Sequence, residues 1–148
     1  PRRRPRVLVP QVRRGVVGGM TDPPAAVLSR INSMRAMHLL APLRPDAALA
    51  RAASFQAHDM ARHNYVGHVS VGGGRLEDRV AAAGRRDDAV IGECVAAGQQ
   101  TADAVAAGWR DSPPHYAILT NPNYRAIGIA GPIEDAPYVP GRNVGRAW

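Results

Sequence analysis

Five histidines, twelve acidic residues and a lone cysteine are the groups through which this 148-residue chain could do acid–base, metal or nucleophilic chemistry. His58 and His63 lie five apart, about 500° of helical rotation, so they cannot chelate one ion as an i, i+4 pair would. His68 follows them in a glycine-flanked loop, where backbone freedom lets an imidazole face a cleft. His115 falls in the first turn of a helix opened by Pro113 and Pro114, again at the end of an element. Taken singly, each of these, like His38, is a structural or solvated histidine. Glu93 is the single acid in the apolar stretch 90–97, and a carboxylate buried there needs a partner; capping of nearby backbone amides is the plainer role for it. Cys94 is alone and reads as a small buried hydrophobe, which disfavours acyl-enzyme chemistry.

The elements that must position these groups can be read from periodicity. Val27, Leu28, Ile31, Met34 and Leu39 recur at helical spacing, giving a first helix from Ala25 that ends before Ala41 and Pro42. A second begins after Pro45, with Asp46 at its positive end, and runs to about Tyr65. Gly67 and the glycines at 72–74 mark a loop, and Leu76 to Ala83 form a short helix stopped at Gly84. The segment 90–97 is a short buried strand or an irregular run. Thr101 opens a fourth helix through Trp109, Ser112 opens a fifth, and Ile127 to Ala130 read as a strand.

Charge divides the chain in two. The net charge is +7, but six arginines lie in the first fourteen residues, which hold no acid, and 13 − 12 leaves +1 for the rest. Residues 1–24 therefore read as a basic Pro/Arg-rich disordered arm on a nearly neutral domain spanning 25–148. Six arginines without interleaved aromatics do not make a specific nucleic-acid site. No apolar run approaches the roughly 20 residues of a transmembrane helix, and no signal peptide is visible. The 45% hydrophobic content is that of a globular domain, and one cysteine provides no internal disulfide.

The ordered set Ile31-Asn32, Arg35, Pro42-Leu43, Asp46, Leu49, His58-Asp59-Met60, Tyr65, Gly67-His68, Arg79, Gly84, Gly92-Glu93, Gly98, Trp109, Ser112-Pro113, His115, Asn121-Pro122 and Ile127-Gly128 resembles the CAP superfamily of SCP-like extracellular domains, in a bacterial cysteine-poor form. The resemblance implies an α+β fold, a three-layer α-β-α sandwich with a small antiparallel sheet. It also implies a cleft lined by His68, Glu93 and His115, with Asp111 and Ser112 where many members carry a further acid. Two imidazoles and a carboxylate could hold zinc or another divalent ion with open positions, His68 and His115 being the ligands.

Three departures reduce polar support for that cleft: Cys94 and Ile118 stand where the family has Asn, and Pro114 where it has Gly. The aromatic closing strand of the family is replaced by the stretch through Pro132, Pro137, Pro140 and Gly141 to Trp148, so the final strand is expected to be missing or degenerate, and a dimer through the open edge follows from that. The resemblance implies an extracellular or periplasmic binding domain for a small amphipathic, lipid or cell-wall ligand. Two alternatives stand beside it: a metal-dependent hydrolase with Glu93 as general base, and a degenerate structural copy without activity.

Overall fold

The computed structural model describes residues 22–86, 89–133 and 146–148. Most of the arm lies outside them. Helix α1, Pro23–Met37, starts two residues inside the expected arm, because Pro23 and Pro24 occupy its first positions and the Asp22 carboxylate accepts from the Ala25 N–H. The remaining elements are β1 (Arg44–Pro45), α2 (Ala47–His63), α3 (Leu76–Ala82), α4 (Ala102–Arg110), α5 (Pro113–Leu119) and β2 (Ala126–Ile127). Asp46 caps α2 by accepting from the Leu49 N–H, and Thr101 caps α4 by accepting from the Ala104 N–H. Each cap satisfies a donor that the helix itself leaves unpaired.

Helix α1 ends earlier than its apolar spacing predicts. The Leu39 N–H donates to Ala36 O and the Leu40 N–H to Arg35 O, both at 3.0 Å, the paired bonds of a Schellman turn. Leu39 sits at the left-handed position of that turn, φ 57°, where glycine is usual. Its side chain is therefore thrown outward, 96% exposed, instead of continuing the stripe of Val27, Ile31 and Met34. Just inside the turn, Arg35 is fully buried without a carboxylate partner. Its guanidinium donates to the carbonyls of Ala41, Leu119, Asn121 and Tyr124, gathering the α1 turn, the end of α5 and the following loop at one point.

Strands β1 and β2 pair in parallel, Arg44 with Ala126 and Pro45 with Ile127. The expected antiparallel sheet is corrected on this point. Antiparallel pairing is confined, among the described residues, to isolated bridges at Ala147, which faces Ala97 on one side and Ile133 on the other. Of the final strand, expected to be missing or degenerate, the described residues include only 146–148. Trp148 and Ala96 exchange backbone bonds, Gly98 donates to Arg146, and Ile133 exchanges bonds with Ala147, so 146–148 is bonded along both edges through isolated bridges. The physical reason is that three residues suffice for this pairing, provided the last two can be buried: Ala147 is 0% and Trp148 5% exposed. Residues 134–145, with the prolines at 137 and 140, lie outside the described residues.

The helices form two groups. Helix α4 packs on both α1 and α5, while α2 packs on α3. One apolar cluster joins Val27, Ile31, Val105, Trp109 and Leu119 of the first group, and a smaller one centres on Ala57, Met60 and Ala61 of α2. Successive residues of the extended segments go to opposite clusters: Val95 to the second and Ala96 to the first, Ala147 to the second and Trp148 to the first. That is the alternation of extended backbone with helices on either face. The result is a helix-rich α+β domain with a very small sheet. Gly128 is required where β2 runs on into contact with α2, since a Cβ there would lie 2.0 Å from the Leu49 carbonyl carbon.

Candidate functional site

The loop that carries His68 is held from below by a buried polar network. Gln56, 1% exposed on α2, donates to Tyr65 Oη at 3.0 Å and Gly67 O at 2.6 Å, and its Oε1 accepts from Ser70 Oγ at 2.9 Å. Asp59, one turn further, accepts from Tyr65 Oη at 2.5 Å and from the Val71 N–H at 2.9 Å. Burial, reinforced by the Asp59 hydrogen bond, pushes the Tyr65 phenol up to about 12. Burial alone would raise the Asp59 carboxyl, but the bonds from Tyr65 and Val71, with His63 nearby, outweigh it and hold the group below its ordinary range.

Arg79 of α3 completes the support. Its Nη1 donates to His68 O and Gly74 O, each at 3.1 Å, and its Nη2 donates to Glu93 Oε2 at 2.5 Å. The other Glu93 oxygen accepts from His68 Nδ1 at 2.8 Å. A carboxylate only accepts, so Nδ1 carries a proton, and in the neutral imidazole Nε2 keeps the lone pair. Glu93 thus bonds side chains of the loop and of α3, not the backbone amides that the plainer role assigned to it. The Arg79 and Glu93 side chains are 3% and 13% exposed, whereas that of His68 is 56% exposed at the surface.

His115 is placed from the other side. Ser112 stands at the N-cap of α5, yet its hydroxyl makes no capping bond and instead meets His115 Nδ1 at 2.8 Å. Cys94 relates the two halves: its neighbour Glu93 bonds His68, while its own thiol lies 3.9 Å from His115 O. Burial, and then the Glu93 charge, push the Cys94 thiol up to about 12, far from a nucleophilic thiolate. Asp111 ends α4 with its carboxylate on Arg110, 2.8 Å from Nε; that hydrogen bond holds it below the ordinary carboxylate range. His38, His58 and His63 bond elsewhere, to Tyr116, Ser54 and Asp59.

Among the described residues, no three His, Cys, Asp or Glu side chains come together as a metal-holding group. The donor chemistry therefore does not fit a closed four-ligand site.

Behind Glu93 lies a feature without a sequence signature, a cavity of about 350 Å³ between the two helix groups. Ile31, Leu49, Val80, Val95, Trp109 and Ile129 supply apolar wall, and Gln56 and Glu93 supply polar groups. The supporting roles of Gln56, Asp59 and Arg79 are likewise not apparent from sequence alone; for Arg79 the available signal is its position three after Leu76, on the inward face of α3.

The same architecture recurs in solved structures. An extracellular protein containing an SCP domain, from Bacillus anthracis str. Ames, superposes with a TM-score of 0.69 at 28% identity, over 72% of this chain and 35% of that one. An outer surface protein of Borrelia burgdorferi shares the fold, with a TM-score of 0.64 at 23% identity over 70% of this chain and 76% of that one. This chain belongs to the CAP family, the cysteine-rich secretory protein family, which residues 28–131 match. Its relatives include an uncharacterized membrane protein of Bacillus subtilis (strain 168), YlbC, 34% identical over 103 residues, 70% of this chain and 30% of that protein. The chain thus spans about a third of each Bacillus protein. No helix among the described residues is long and apolar enough to cross a membrane.

Proposed function

We propose that this chain is a ligand-binding domain of an extracellular or envelope-associated protein, and that it takes the apolar part of a small amphipathic lipid or cell-wall molecule into the cavity behind Glu93. The cavity carries this reading. A pocket of about 350 Å³ with apolar walls and few polar groups is of the size and character that drug-sized ligands fill. The relatives described as extracellular, outer-surface and membrane proteins support the compartment. Zinc or a similar ion would be held by Nε2 of His68 and of His115, and would offer a positive centre to a polar ligand group. Glu93 orients His68 and keeps its lone pair turned outward.

The hydrolase alternative asks Glu93 to act as a base, but both its oxygens are already bonded, to His68 and Arg79. That occupancy favours binding over turnover. Calorimetry with a single-chain amphiphile on the wild type and on Val95→Trp, which fills the cavity, tests the ligand reading. Binding should be lost in the variant, and equal affinity in both proteins would exclude the cavity. Zinc titrations of His68→Ala and His115→Ala should each lose most of the heat seen with the wild type. Unchanged zinc affinity would remove the ion from the proposal while leaving the cavity untouched.

A further inference from the structure

The turn after α1 exposes two apolar side chains at one end of the molecule, Met37 at 71% and Leu39 at 96%. Leu39 holds the left-handed conformation that glycine adopts without steric cost. A strained, solvent-facing leucine at a helix end has no folding role that glycine would not fill better.

The surroundings select its partner. Arg35, before the turn, bonds Ala41 O after it and the carbonyls of Leu119, Asn121 and Tyr124, so these segments meet at the same end. Residues 23–45 and 112–133, which build that end, contain no Asp or Glu. The exposed Arg44 and Arg125 stand together there, the Arg44 N–H donating to Arg125 O at 2.9 Å. Acids on the helix packed against this side are already engaged, Asp103 by Arg30 and Asp111 by Arg110. His38 fixes the turn on α5 through its bond to Tyr116, the rings edge to face with centroids 5.7 Å apart.

We infer that the 37–40 turn is a membrane-docking tip: Leu39 and Met37 enter the interface of a bilayer whose anionic head groups face Arg44 and Arg125. A soluble polyanion would satisfy the arginines but give the two apolar side chains nothing.

Co-sedimentation of the full chain with phosphatidylcholine vesicles, with and without about one quarter phosphatidylglycerol, tests this. The wild type should bind the anionic vesicles, and Leu39→Gly with Met37→Ser should weaken that binding roughly tenfold or more. The arginines of the arm are present in both proteins, so any attraction they provide cancels. Leu39→Gly should melt no lower than the wild type, because glycine suits the turn, so a loss of binding cannot be assigned to unfolding. A polarity-sensitive fluorophore on Leu39→Cys should shift blue on anionic vesicles. Unchanged binding by the double variant, or an unshifted fluorophore, would overturn the proposal, as would competition by a soluble polyanion that is indifferent to residues 37 and 39. Amphiphile uptake into the cavity should be the same in Leu39→Gly, which separates this surface from the cavity behind Glu93.

Discussion

Glu93 is a carboxylate that cannot be left alone, and its two partners divide the work. Arg79 neutralises it in the interior while His68 carries its influence to the surface. Removing the guanidinium with Arg79→Met strands a nearly buried charge, and breaking such a pair costs about 3 to 5 kcal/mol. Urea denaturation should show a loss of that size, and Glu93→Gln should lose a comparable amount, since it leaves the buried Arg79 guanidinium without its counter-charge. Equal, small losses in both variants would mean that the pair adds little to the fold. The need for a partner was legible from a single acid in an apolar run. Its identity was not, because all nineteen basic residues are arginine, and a buried guanidinium looks in sequence like any solvated one.

Helices announce themselves by caps and spacing, and those opened by Asp46, Thr101 and Ser112 lie where these residues place them. The sheet was hard to read because periodicity needs four or more residues, whereas β1 and β2 have two each and 146–148 joins only through isolated bridges. Leu39 misled for a related reason. It keeps the apolar spacing of α1 but follows the residue at which the backbone turns. The tightest contact between elements is that of Gly128 with the first turn of α2. Gly128→Ala forces two backbones apart, and a loss of about 3 kcal/mol or more is expected in a melting or denaturant series. A loss under about 1 kcal/mol would show that β2 can shift away from α2 without disturbing the core.

At the scale of the whole molecule, two small clusters share a partly hollow centre. The helices could be read from spacing and the family from its ordered motifs, whereas the partners of Glu93 could not. The hollow could not, because it depends on how far apart two helix groups settle, and no local pattern encodes that distance. A pocket lined largely by apolar side chains leaves that surface without packing partners, which weighs against a net stability of about 5–15 kcal/mol. An occupant would relieve that.

The same hollow sets the fold's response to hydrostatic pressure. Any part of it that neither side chains nor water fill is lost on unfolding, so the unfolded chain takes up less volume and pressure favours it. Trp109 lines the cavity, and its fluorescence under rising pressure should give a volume change near the large end of the usual range, about −100 mL/mol. Saturating the cavity with an amphiphile should reduce that magnitude, and a volume change unaffected by a bound amphiphile would place the compressible space elsewhere. A domain of this kind would register depth, in the literal sense of water pressure, as well as chemistry.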